Sequence, residues 1–174
     1  MQCRIRDFRC KEVINICDGC RLGYVGDGAN VCNSLIVGGL KTGMQVTVAC
    51  PAGCEPARAV LEFAAAYPSQ FTLTQDPKAA AEGADVLVTD AWNSMGRARD
   101  MDPLQRQQML MPYQLNDALL ALAKPDCMVQ HCLPAQKEQE ITRVVFERHA
   151  DEIFNEAENR LHVQKAVLAL LMEA

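Results

Sequence analysis

Three short apolar runs, each breaking into a loop of small and polar residues, constrain this chain more than any other feature. Val86-Leu87-Val88 leads into Asp90-Ala91-Trp92-Asn93-Ser94-Met95-Gly96. Leu22-Gly23-Tyr24-Val25 leads into Gly26-Asp27-Gly28-Ala29-Asn30, and Cys127-Met128-Val129 into His131-Cys132-Leu133-Pro134. A short apolar run without a polar face reads as a strand covered on both sides, as in a parallel sheet. Loops at the carboxyl ends of such strands are where open α/β sheets hold ligands. The pattern predicts that the three loops meet at one sheet edge.

The stretches between the runs support that topology. Gln45–Cys50, stopped by Pro51, and Phe71–Thr74 complete a set of five strands, with Asp85–Thr89 and Cys127–Gln130 as the fourth and fifth. Helices are predicted over 30–41, 55–67, 76–82, 103–110, 116–123, 142–149 and 157–172. Pro56 suits a first helical turn, and Asp76-Pro77 supplies an N-cap followed by proline. Strands alternating with helices give an α/β fold: a doubly wound, parallel five-stranded sheet with helices on both faces, in a single domain. Residues 1–20 show neither period and read as a poorly ordered leader, leaving 21–174 as the domain. The last helix is apolar over more than one stripe, which suggests a covering surface from another domain or subunit.

Composition excludes several function classes. Of 174 residues 49% are hydrophobic and 22% charged, a globular balance, and the net charge of −5 comes without a Lys/Arg run of the kind nucleic acid requires. No apolar stretch spans a bilayer, and Arg4, Arg6, Arg9 and Lys11 break up any signal-peptide pattern, so the cytoplasm is expected. Nine cysteines, an odd number, argue for reduced thiols. Cys17-Asp18-Gly19-Cys20 matches no zinc-ligand spacing, and no metal site is assigned.

Each loop admits more than one chemistry. Gly26-x-Gly28 resembles the start of a dinucleotide fingerprint, but Val31 stands where the third glycine belongs, and Cys50-Pro51-Ala52 offers no acidic group for a ribose. A plain tight turn, or a small ligand held by Asn30 at the helix N-terminus, are the other readings. Asp90 is a turn residue or a carboxylate for an ammonium group, and Trp92 reads as a core anchor. His131 and Cys132 are neighbours on a strand and so point to opposite faces, which disfavours a direct relay. They read either as a buried pair, or as a histidine polarising a carbonyl with a cysteine that accepts a proton or orients a group. Glu156 and Glu158 suit the start of the last helix, whereas Arg160 opposes the dipole there and points to an anion clamp.

Together the four segments resemble the ornithine carbamoyltransferases of the aspartate/ornithine carbamoyltransferase family. Val25-Gly26-Asp27-Gly28-Ala29-Asn30, Asp90 to Gly96 with its Ser-Met-Gly loop, His131 to Pro134 and Glu156 to Arg160 stand in the family's order, with Tyr113-Gln114 between. The resemblance runs from about Arg21 to the C-terminus and implies roles. Asn30, Asp90, Ser94 and Met95 would hold L-ornithine, with Asp90 at the α-amino end. Cys132 and Leu133 would flank the reacting amine, and His131 and Arg160 would contact carbamoyl phosphate. Catalysis would rest on Cys132, His131 and Asp90, without metal or organic cofactor. Citrulline and phosphate would be the products, and relatives are trimers.

Departures accompany the match. Ala29 replaces an asparagine, Ala135-Gln136-Lys137 keeps one basic group, and Arg97 and Arg99 stand where acidic residues are common. The family's Ser-x-Arg-Thr motif for carbamoyl phosphate is missing. Two expectations follow: an ornithine-binding half whose other domain is supplied elsewhere, or a catalytically inactive amino-acid-binding domain or relic. A homo-oligomer is compatible with either.

Overall fold

A computed structural model describes residues 19–92 and 102–172. The strands are β1 (Arg21–Val25), β2 (Gln45–Ala49), β3 (Phe71–Thr74), β4 (Val86–Thr89) and β5 (Met128–His131), within a residue or so of expectation. All pair in parallel, in the order β3-β2-β1-β4-β5. The chain starts in the middle of the sheet, builds outward to β3, then returns to the other side of β1. The strand order therefore reverses between β1 and β4, the position at which open α/β sheets generally hold a ligand.

The helices are α1 (Val31–Lys41), α2 (Arg58–Ala64), α3 (Pro77–Ala81), α4 (Pro103–Leu110), α5 (Asp117–Leu120), α6 (Arg143–Arg148) and α7 (Ala150–Met172), with a 3-10 turn at Met111–Tyr113. They cover both sheet faces, as two separate buried clusters show. Leu22, Tyr24, Val46, Val48, Val86 and Val88 meet Cys32, Ile36 and Leu40 of α1 on one face. Val25, Ala49, Leu87 and Val129 meet Ala80, Leu119, Val145, Phe146 and Ile153 on the other. The alternation of Val86, Leu87 and Val88 between clusters is the two-residue period of a strand. Each fully buried Val, Leu or Ile contributes roughly 1.5–3 kcal/mol. At Gly23 a side chain has no room: an added Cβ would lie 2.1 Å from the Ala80 carbonyl oxygen, so glycine lets α3 lie directly on β1.

Two helix boundaries differ from the sequence reading. Helix α2 starts at Arg58, because Pro56 instead wedges against the β1–α1 loop, with its ring and nitrogen 2.8 Å from where a Gly28 Cβ would be. Helix α7 starts at Ala150 and runs for 23 residues, so Glu156 and Arg160 lie well inside it. The dipole argument for Arg160 as a first-turn residue therefore fails. The far half of α7 carries exposed Leu161, Val163, Val167, Leu168, Leu170 and Leu171, the apolar excess noted in the sequence.

Candidate functional site

Strand ends β1, β4 and β5 bring Asn30, Asp90 and the His131–Leu133 segment to the same edge. Asp90 closes β4 and is 4% exposed. Its Oδ1 accepts the Ala91 N–H at 2.7 Å and the Cys132 thiol at 2.9 Å. Burial pushes the Cys132 thiol up to about 12, and the hydrogen bond and charge of Asp90, then the charge of Glu156, add to it. Two carboxyl groups thus hold Cys132 as a thiol. Of the two readings of Cys132, proton acceptor or orienting group, this geometry favours the second, since the thiol ties the end of β5 to Asp90.

His131 is wholly buried. Its Nδ1 accepts the Leu133 N–H at 2.9 Å, which leaves Nε2 as the donor facing Glu140 Oε1 at 3.2 Å. Both ring nitrogens are engaged within the chain, and the imidazole braces the turn after β5. Glu140 is itself fully buried and also takes the Gln136 N–H, which folds the segment after Pro134 around it. Gln114 donates to the carbonyls of Glu138 and Gln139 at 3.3 and 2.9 Å and fixes the same segment from outside.

Two site positions carry backbone strain. Asn30 has φ 52° and Leu133 φ 54°, in a region that disfavours side chains. Asn30 precedes α1 yet its side chain makes no capping bond to that helix. Gly28 cannot take a side chain, since an added Cβ would lie 2.6 Å from the Cys54 carbonyl that accepts its N–H. Ser94 and Met95 lie outside the described residues. Arg160 is exposed, one helical turn beyond Glu156, whose carboxyl its charge favours in ionised form.

Sequence reasoning missed Arg106 and Glu156. Arg106, on α4, is 4% exposed and ion-paired with Asp27, itself 3% exposed. Its Nε donates to the Trp92 carbonyl at 2.8 Å, and its third nitrogen lies 4.0 Å from Cys54 Sγ. One guanidinium thus joins the loops after β1, β2 and β4. Trp92 is 2% exposed, the core anchor expected of it. Glu156 lies on the α7 face turned to β5. One turn earlier Glu152 accepts the Val129 N–H at 2.8 Å, and the His131 N–H favours the ionised form of Glu156. Acidic groups thus line the outer side of an edge strand, so a four-residue acidic spacing beside a strand was the available signal. Glu156 Oε2 is buried without a hydrogen-bond partner. Burial raises its carboxyl above the ordinary value, Asp90 adds to this, and the His131 N–H and Arg160 oppose it.

A family profile described as "Aspartate/ornithine carbamoyltransferase, Asp/Orn binding domain" matches residues 18–171. The chain belongs to this family. It is 47% identical over 155 residues to an ornithine carbamoyltransferase of Methanosarcina acetivorans, covering 89% of this chain and 51% of that protein. One from Nostoc punctiforme is 44% identical over 167 residues, covering 94% and 54%. Among solved structures, ornithine carbamoyltransferase from Pyrococcus furiosus matches with a TM-score of 0.77 at 43% identity, covering 87% of this chain and 49% of that one. The anabolic enzyme of Campylobacter jejuni matches with a TM-score of 0.82 at 29% identity, covering 97% and 55%. The chain spans about half the length of these carbamoyltransferases. Among the described residues no helix is long and apolar enough to cross a membrane.

Proposed function

We propose that residues 21–174 are the ornithine-binding half of an ornithine carbamoyltransferase, acting in the cytoplasm on L-ornithine and carbamoyl phosphate to give citrulline and phosphate. Asp90 receives the α-ammonium group. Asn30, Leu133 and the Ser94–Met95 segment hold the rest of the substrate, and Cys132 orients the side-chain amine. The neutral amine attacks the carbamoyl carbon, a C–N bond forms, and the bond from that carbon to the phosphate oxygen breaks. Charge growing on the departing phosphate needs cations. Arg160 supplies one, and a second domain, contributed by another chain or by further residues, supplies the others and covers the apolar end of α7. A homo-oligomer fits this arrangement. The observation that carries the reading is the Cys132–Asp90 hydrogen bond at the reversal of strand order, because it sets acidic groups where a diamino acid needs them.

A second reading, ornithine binding without turnover, is favoured by the cations near this edge among the described residues: Arg106 is committed to Asp27, and Lys137 pairs with Glu147. Calorimetric titration with L-ornithine, with and without carbamoyl phosphate, alongside a citrulline assay separates the two. Citrulline formation lost in Asp90→Ala supports an enzyme. Binding alone supports the second reading, and no binding by a folded sample refutes both.

A further inference from the structure

An amine that attacks a carbonyl carbon must first lose the proton that keeps it an ammonium, since an alkylammonium group titrates near 10.4. The described groups at this edge offer few places for that proton. Cys132 already carries one and donates it to Asp90. His131 has both ring nitrogens engaged and is wholly buried. Glu140 lies behind it, with Oε1 shared between His131 and the Gln136 N–H.

Glu140, like Glu156, has a second oxygen buried without a partner, but its whole side chain is buried behind His131, whereas Glu156 is partly exposed. Glu156 lies one turn of α7 beyond Glu152, which accepts the Val129 N–H of β5, and its charge acts on both Cys132 and Asp90. Its second oxygen is buried and has no partner. A buried acceptor without a donor is costly unless a ligand supplies one. We propose that Glu156 binds the side-chain ammonium of the diamino-acid substrate through this oxygen and accepts the proton that the amine loses before attack.

This inference rests on the ornithine reading above. The step balances: carboxylate and ammonium become carboxylic acid and neutral amine. The C–N bond then forms as the bond to the phosphate oxygen breaks. The second amine proton leaves with the phosphate, and Glu156 returns its own to water. The raised affinity of Glu156 for a proton suits it to this exchange. Asp90 keeps the other end of the substrate, so two acidic contacts read the two amines separately.

The test uses Glu156→Gln, which keeps the side chain's shape and an acceptor oxygen while the charge is gone. Two ligands are titrated into the chain by calorimetry: L-ornithine, and L-norvaline, the same five-carbon amino acid without the side-chain amine. Expected is a loss of about 10- to 100-fold in ornithine affinity, the size of one charge-assisted hydrogen bond, with norvaline unchanged. Glu156→Asp serves as a second variant, with the shorter carboxylate expected to recover part of the loss. Equal weakening for both ligands would mean that Glu156 merely holds the β5 turn, and overturns the proposal. So would ornithine affinity unchanged in Glu156→Gln. If the unaltered, folded chain binds neither ligand, the ornithine reading fails and this one fails with it.

Discussion

Arg106 is the side chain whose loss should do most damage per atom removed. It and Asp27 form an ion pair with side chains 5% and 4% exposed. Deleting one partner of such a pair strands the other charge in a low-dielectric interior, at a cost of about 3–5 kcal/mol. Arg106→Met also forfeits the bond to the Trp92 carbonyl, worth about 1.5–3 kcal/mol for a charged donor. A domain of this size has roughly 5–15 kcal/mol in total, so Arg106→Met should be barely folded at room temperature. Asp27→Asn keeps an acceptor and should cost less, about 2–3 kcal/mol. Removing both charges in Asp27→Asn/Arg106→Met should cost less than the sum of the single changes, since neither is left unpaired. Urea unfolding followed by far-ultraviolet circular dichroism measures these three variants and the unaltered chain. The reasoning is refuted if Arg106→Met shifts stability by less than about 1 kcal/mol, the value of an exposed pair, or if the single changes simply add. Because this guanidinium joins three loops, variants that still fold should also weaken the ornithine binding proposed above.

Other outcomes follow from the same geometry. Cys132, held as a thiol with its titration near 12, should react with iodoacetamide at pH 8 about a hundredfold more slowly than an unperturbed thiol, as peptide-resolved mass spectrometry would show. Asp90→Asn should speed it. Cys127, also raised to about 12 by burial, and Cys132 both bind a proton more tightly folded than unfolded. Stability should therefore hold up to about pH 8.5, the ordinary thiol value, and fall as pH rises toward 12. Urea midpoints at pH 7, 9 and 10 check the sign, and Cys132→Ser should flatten part of the slope. In α1, Gly38 has open space where a Cβ would go, so Gly38→Ala should stabilise by about 0.5–1 kcal/mol. Gly28→Ala should instead destabilise and abolish ornithine binding. Thermal melts and calorimetry distinguish the two.

The strands were legible because the sheet is covered on both faces, so Val86, Leu87 and Val88 had to be apolar whichever way they pointed. The three loops were legible through residue types that such strand ends favour. What escaped were the residues whose roles depend on distant partners. Arg106 falls on a helix whose neighbours are mostly Gln and Met, and its partner is 79 positions away in sequence. Helix α7 was started seven residues late, because between Ala150 and Glu156 Ile153 and Phe154 are its large apolar side chains, too few for a stripe. Those turns are held instead by Ile153 in the core and by the Glu152 carboxylate bonded to β5, which periodicity does not report. His131 ends β5 and Cys132 lies just beyond it, so strand alternation could not say which of the two faced inward. The Leu133 N–H and Glu140 settle that.

The carboxylates along β5 also give the sheet two unlike margins. At β5 the outward N–H of Val129 is filled by Glu152, with Glu156 one turn further along α7, so an incoming strand would have to displace this acidic cover. At β3 no strand among the described residues pairs with the outer side of Phe71–Thr74, and Leu73 is exposed beside it. Strand-to-strand recruitment, whether in assembly or in aggregation, is thereby directed to the β3 margin.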